Sequence, residues 1–299
     1  MVRAMAIATR RKRAALPVAG RLPKSLNELS KDDRQFVKAL ARGLNILSCF
    51  SHAKTHIGGT ELAEMTGLPQ PTVWRLCHTM MQLGYLIPSG GDRMRPGIPL
   101  LRLGQVALAS IPIATNAYDR MKTLAEKFGA AVGLAALDGT RVVFVQQCLS
   151  EAQLLMNLKV GSRLRLATSG AGWGLLAGFE EAEREKLIAE SVEPDSRWPK
   201  VEAAFRREMT AYKQRGYILN IGIFHQGYNT IAVPILASNG KSAFALSCAG
   251  AAVTHTAAFL RKEVAPELLK VAVSLENELR DEARGQTSRH RQDNKVRVL

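Results

Sequence analysis

Apolar positions recur along this chain with two periods, and the change from one to the other marks its organisation. Phe36, Val37, Leu40, Leu44 and Leu47 fall three and four apart, which predicts a helix opened by Asp32 and Asp33. Thr60 reads as the N-cap of a short second helix carrying Leu62, Ala63 and Met65 and stopped at Gly67. A third helix is predicted from about Pro69 to Leu83. Pro69 and Pro71 sit in its first turn, where a missing amide donor breaks no intrahelical bond. Val73, Leu76, Cys77, Met80 and Leu83 form its apolar stripe, and Pro71, Trp74, Arg75, His78 and Gln82 occupy the other side. A short strand at Tyr85–Ile87, a turn at Ser89–Asp92 and the outgoing Arg93–Arg95 complete a basic hairpin. Helix, glycine turn, helix and hairpin in this order describe a winged helix-turn-helix.

From about Leu100 to Gly129 a further helical stretch links this unit to a second one, where the period drops to two. Ala131–Leu137 and Arg141–Cys148 read as strands joined by a hairpin turn at Asp138–Gly139. Leu154–Lys159, Tyr217–Ile221, Tyr228–Ile235 and Ala243–Ser247 read as strands too. Helices are expected at residues 169–177, Glu180–Ala189, Val201–Gly216 and from about Thr256 to Arg284. Hairpin-paired strands with grouped helices predict an α+β domain with a mainly antiparallel sheet. The expected division is a flexible basic arm at 1–30, the winged helix-turn-helix at 31–98 and a linker helix at 99–118. The α+β domain follows at 119–284 and a basic disordered tail at 285–299.

Composition narrows the function classes. Hydrophobic residues make up 46% of the chain, enough for two cores. No apolar run is long enough to span a membrane, and the basic start is not followed by an apolar leader with a small-residue cleavage site, so a cytoplasmic protein is expected. The net charge of +15 is unevenly placed: +6 over residues 1–30, +4 over 31–104, +1 over 105–283 and +4 over 284–299. A neutral large domain beside a basic small one fits a polyanionic partner of the small one. A membrane surface ranks lower, because the basic run at 10–13 has no interleaved apolar helix face. Cys49, Cys77, Cys148 and Cys248 are scattered without a CxxC spacing and read as buried free thiols. No metal and no cofactor is expected. His52 and His56 are four apart, but in a loop.

The third helix carries the DNA chemistry. Gln70, Thr72, Arg75 and His78 offer donors and acceptors near its N-terminal half, the end that meets base edges in helix-turn-helix proteins. Arg75 suits guanine or phosphate, Gln70 suits adenine, and Trp74 suits a sugar or a thymine methyl. Arg93 and Arg95 on the hairpin suit phosphate or the minor groove. Each residue alone also fits a solvated helix face; their coincidence with the local charge points to double-stranded DNA.

An enzyme is set aside. The run Ser169–Gly170–Ala171–Gly172 is neither a GxSxG elbow nor a phosphate loop, and no histidine sits in a nucleophile–base motif. A nonspecific architectural nucleic-acid binder leaves the large neutral domain unexplained. A regulator answering only to partner proteins stays open.

FVKALARGLNILSCF at 36–50, ELAEMTGLPQPTVWRLCHTMMQLGYL at 61–86, GSRLRLATSGAGWGLLA at 161–177 and GYILNIGIFHQGYNTIAVP at 216–234 resemble the IclR family of bacterial transcriptional regulators, over roughly residues 34–284. The resemblance implies a GAF-like effector-binding domain, and homodimers or homotetramers on palindromic operators. It also implies a pocket for a small carboxylate. Met156 and Leu164 match its apolar lining, and Gly170 and Ala171 a turn whose amides face the ligand, where unpaired donors and the helix dipole favour an anion. Ser247 matches the first of two ligand-holding serines. Asn220 stands where small-oxoacid sensors carry an acidic residue, and Thr230 where many members carry cysteine. Ala249 replaces the second serine, and Ile223 falls where glutamate is common. The less polar pocket so implied suits a larger or more aromatic organic acid than a two- or three-carbon oxoacid.

Overall fold

A computed structural model describes residues 35–151, 158–192 and 197–296, the stretch 285–296 as backbone. The basic arm at 1–30 and the helix start at Asp32 and Asp33 lie outside the described residues.

Three helices come first: α1 (Lys38–Leu47), α2 (Gly59–Thr66) and α3 (Gln70–Gln82). α2 stops at Gly67, whose left-handed backbone (φ 68°) turns its N–H onto the Ala63 carbonyl. Pro69 and Pro71 then open α3. Strands β1 (Ile57–Gly58), β2 (Leu86–Pro88) and β3 (Arg93–Pro96) form an antiparallel sheet in the order β1-β3-β2. Ile46, Ile57, Leu62, Val73, Cys77, Met80, Leu86 and Met94 close the core between helices and sheet. Leu83 departs from the expected stripe and is exposed, because it is the residue on which α3 ends and the chain turns away. Val37, Leu40 and Leu44 of α1 are exposed as well.

The expected linker helix at 99–118 is broken in two. α4 (Ile98–Ala109) ends at Ser110, and α5 (Pro112–Asn116) and α6 (Tyr118–Phe128) follow. The break comes from Pro112, whose ring pushes the preceding Ile111 out of the helical region, to φ −119° and ψ 76°. α4 buries none of its residues within the chain, and Ile98, Leu101, Leu103 and Val106 stand exposed.

The second domain is α+β, as its strand and helix pattern predicts. β4 (Ala131–Asp138), β5 (Arg141–Leu149), β6 (Arg163–Arg165), β7 (Ile218–His225), β8 (Tyr228–Leu236) and β9 (Ser242–Ala251) make one antiparallel sheet in the order β6-β5-β4-β9-β8-β7. Alternation along the strands gives the sheet two apolar faces. Val132, Leu134, Ile231, Val233, Leu246 and Cys248 face α6 and the C-terminal helices: α10 (Ala257–Phe259), a π-helical turn at Leu260–Val264 and α11 (Ala265–Val296). Arg120 bonds Ser274 and Glu278, and Lys127 pairs with Glu267, fastening α6 to α11. The other face packs under α7 (Gly170–Ala177), α8 (Glu181–Ser191) and α9 (Trp198–Arg215), where Trp173, Phe205 and Trp198 meet edge to face.

Of the strand expected at Leu154–Lys159, residues 154–157 lie outside the described residues and Leu158 and Lys159 are irregular; the short β6 pairs with β5. One expectation is corrected. The tail at 285–299, expected to be disordered, continues α11 as far as Val296; it holds no proline, so each further residue adds an intrahelical hydrogen bond. The helices expected at Glu180–Ala189 and Val201–Gly216 are α8 and α9, the latter starting one turn earlier at Trp198.

Candidate DNA-binding and effector sites

α3 turns one face to the winged-helix core through Val73, Cys77 and Met80, and this leaves the opposite face to solvent. Trp74 is the clearest case, with 63% of its surface exposed. It stacks on His78 one turn away, centroids 5.3 Å apart and planes 26° from parallel. Arg75 stands exposed beside them. Gln70 is exposed at the start of the helix, but its Nε2 donates to Thr60 Oγ1 at 2.9 Å and so ties α3 to α2. Its amide therefore starts out engaged within the protein, which the helical pattern could not reveal. Thr72 is half-buried.

In the wing, Met94 points into the core, so its neighbours Arg93 and Arg95 point out. Arg93 Nη1 donates to the His56 carbonyl at 3.4 Å, which holds this arginine against β1. Lys54 forms an ion pair with Glu61, which holds that carboxyl below the usual carboxylate range. All seven residues expected to meet DNA thus belong to one unit, six of them exposed and Thr72 partly so.

In the second domain, Asn220, Thr230 and Ser247 fall on the sheet face covered by α7, Gly170 and Ala171 open α7 itself, and Leu164 lies on β6 at the sheet's edge. Met156 lies outside the described residues. The N-terminus of α7 caps itself: Ser169 Oγ accepts from Gly172 N at 3.1 Å. The amide of Gly172, next to Gly170 and Ala171, is therefore taken. Gly170 lies against Thr230, where a Cβ would come within 2.5 Å of Thr230 Cγ2, so this contact requires glycine. Asn220 is buried; its Oδ1 accepts from Phe224 N and its Nδ2 points to the Thr168 carbonyl. It holds the bulge of β7 that carries half-buried Ile223, and spans to the segment before α7. Leu164 pairs with Val142 and packs into the core under α7.

A small cavity of about 20 Å³ opens on the same face. Ala131, Gly133 and Ala249 form its floor, and Phe144, Tyr228 and Leu158 its apolar walls. Ser247 and Gln147 are its polar members, and no charged side chain lines it. Ser247 Oγ donates to the Gly133 carbonyl at 3.2 Å. Burial pushes the Tyr228 hydroxyl up to about 12, so the ring beside the cavity is a neutral phenol. Of the residues expected at the effector site, Ser247 lines this cavity; Thr230 pairs with the lining residue Ala249 and with Asn220, and Gly170 lies against Thr230. Gln147, Phe144 and Tyr228 were missed. Their strands were legible, but their convergence depends on which strands pair.

Burial raises the thiols of Cys77, Cys148 and Cys248 to about 11, 11 and 12, so they are protonated and inert. Among the described residues no cluster of three His, Cys, Asp or Glu is arranged to hold a metal, and no helix is long and apolar enough to cross a membrane.

Comparison with known proteins gives two family matches. The IclR helix-turn-helix domain matches residues 39–87, and the C-terminal domain of bacterial transcriptional regulators of the IclR type matches residues 105–277. The crystal structure of an IclR family transcriptional regulator from Brucella abortus is 33% identical, with a TM-score of 0.76, and the match covers 86% of this chain and 100% of that one. The HTH-type transcriptional regulator TsaQ1/TsaQ2 of Comamonas testosteroni is 27% identical over 86% of this chain and 94% of its own length. The Pca regulon regulatory protein of Pseudomonas putida is 26% identical over 83% of this chain and 84% of its own.

Proposed function

Because this chain belongs to the IclR family of bacterial transcriptional regulators, we propose that it acts in the cytoplasm as a homodimer or homotetramer on a palindromic operator, and that an organic acid controls it. The observation that carries the DNA half is the exposed face of α3, with Trp74, Arg75 and His78 side by side above a buried core. In this reading two copies lay α3 in successive major grooves, about 34–36 Å apart, with Arg93 and Arg95 on the flanking backbone. Gln70 and Thr72 meet the DNA at the start of α3, Gln70 after releasing Thr60. The apolar side chains that α1 and α4 leave exposed support association of copies, because faces of this kind are normally covered.

The effector is proposed to enter the face under α7, near Gly170, Ala171, Asn220, Thr230 and Ser247, with Leu164 at the margin; Met156, matched to the pocket lining by resemblance, lies outside the described residues. The rings of Phe144 and Tyr228 and the lack of a charged lining favour an aromatic or otherwise larger acid over a two- or three-carbon oxoacid. Since the cavity has room for about one water molecule, such a ligand displaces lining side chains as it binds. Its effect follows from binding one arrangement of the two domains better than another. The regulated genes are proposed to be a catabolic operon for the same acid; the P. putida relative is itself named for a regulon.

A mobility-shift assay on DNA upstream of the protein's own gene, with and without a panel of aliphatic and aromatic acids, tests both halves. A shifted band that one acid releases or strengthens is expected. A folded protein that shifts no fragment and selects no sequence from random DNA would remove the operator reading.

A further inference from the structure

Two buried side-chain oxygens among the described residues accept no hydrogen bond, and one of them, Gln147 Oε1, belongs to a residue lining the small cavity on the sheet face that also carries α7. Buried acceptors without a partner are rare in folded proteins, because desolvation is not repaid. The surroundings show how the oxygen comes to be left open. Gly133 lies opposite Gln147 across β4 and β5, and a Cβ on it would come within 2.8 Å of Gln147 Oε1 and 2.4 Å of the Phe144 ring. Glycine keeps this space clear. On the other side of Gly133, Ser247 is its partner in β9, and the Ser247 hydroxyl spends its proton on the Gly133 carbonyl. Its oxygen is therefore left to accept. Two acceptors thus flank a space of about 20 Å³, the size of one water or one hydroxyl.

The chemistry of an occupant is constrained from three sides. A carboxylate would meet the Gln147 and Ser247 oxygens as they stand and no cationic side chain among the described lining residues. An ammonium group would lose its water without gaining a charged partner. A methyl group would fill the space and leave the amide oxygen unsatisfied. A hydroxyl donates to one acceptor and is small enough to fit. It also accepts, so it suits the Gln147 amide in either orientation.

We propose that this cavity reads a hydroxyl group on the effector, with Gln147 as its principal partner and Ser247 as the second. The protein then separates a hydroxylated acid from the same acid without the hydroxyl. This rests on the reading that the domain binds an organic acid, and it adds which acids are chosen and by which residue.

The test is titration calorimetry on the full chain with matched pairs: benzoate against 3- and 4-hydroxybenzoate, and glutarate against 2-hydroxyglutarate. In at least one pair the hydroxylated member is expected to bind about tenfold tighter or more, since a site built to hydrogen-bond a hydroxyl discriminates strongly against its absence. Gln147→Leu should abolish the difference between the hydroxylated acid and its parent, read as the ratio of their two affinities in the same variant. Ser247→Ala, a smaller change, should narrow the gap in part and serves where Gln147→Leu does not fold. If acids bind but both members of every pair bind equally, or if Gln147→Leu keeps the preference, the hydroxyl-reading role is overturned and the effector reading survives. If a folded protein binds no acid of any pair, the effector reading falls and this role with it.

Discussion

Trp74 stands in solvent on a helix with Arg75 beside it and His78 one turn on, whereas Gln147, Tyr228 and Ser247 meet around a cavity from three different strands. The first group is local and outward-facing: one helix period sets which residues appear together, and the core beneath needs only to hold that helix still. The second is assembled from parts of the chain separated by as much as a hundred residues, and it exists only once β4 has paired with both β5 and β9. The polar groups of the first are solvated until a partner arrives. Those of the second must be satisfied inside the fold or by something that enters it. A change in one region should therefore read out as lost recognition with the fold kept, and in the other as altered stability or altered choice of ligand.

The strongest way to break this contrast is Gly172→Val. A Cβ there would lie 2.1 Å from the Leu166 carbonyl and 2.8 Å from the capping Ser169 Oγ, so the start of α7 has to move. A loss of about 3 kcal/mol or more is expected, with the sensor transition falling by roughly 10 °C in calorimetry. The winged-helix transition should stay where it is; a common shift would show that the two regions unfold as one. Next comes Arg75→Ala. It should cost about 1–3 kcal/mol of discrimination between operator and unrelated DNA while circular dichroism is unchanged. Equal selectivity in competition binding would take Arg75 out of base recognition. Arg93→Ala and Arg95→Ala should be milder. Each is expected to lower the salt dependence of binding by about 0.9 in the log–log slope and to leave sequence preference alone. A change in which bases are preferred, seen by selection from random DNA, would move the wing from positioning to reading.

The smallest effect concerns pH. His255 is buried, with Nδ1 beside Thr254 Oγ1 and Nε2 facing the Phe128 carbonyl, and desolvation holds it below its ordinary value of 6.5. The unfolded chain therefore takes up a proton at a pH where the folded one refuses it. Stability from this group is complete above about 6.5 and declines as the pH falls below it. His255→Gln should flatten that decline in acid melts of the sensor domain, with DNA affinity at neutral pH unaffected. An unchanged acid profile would assign the decline to other groups.

The same contrast accounts for what could be read in advance. The helix-turn-helix was legible because Val73, Cys77 and Met80 repeat at helical spacing and Gly67 and the two prolines punctuate it. β1 was not, since two residues carry no period. Five of the sensor's strands and the hairpin at Asp138–Gly139 were visible in the alternation, and so was the antiparallel character of the sheet. Placement of the effector residues came from resemblance instead, and it was blind to what local packing does with them. Asn220 is held by a bulge, Gly170 is pressed on Thr230, and the start of α7 caps itself. Gln147 gave no signal at all: a polar residue late in a strand looks like a solvent-facing one until the neighbouring glycine is known to sit opposite it. The break at Pro112 was readable from the proline alone and was passed over in favour of one continuous linker.

α4 fully buries none of its own side chains. If a second copy is what shelters Ile98, Leu101, Leu103 and Val106, the amount of competent reader is not proportional to the amount of chain. In the dilute regime paired molecules grow as the square of expression, so halving synthesis leaves about a quarter of the readers by simple mass action. Gene dosage then becomes a second input to the switch beside the proposed effector, and a regulator placed next to its own promoter would feel small changes in its own supply more sharply than its targets feel changes in theirs.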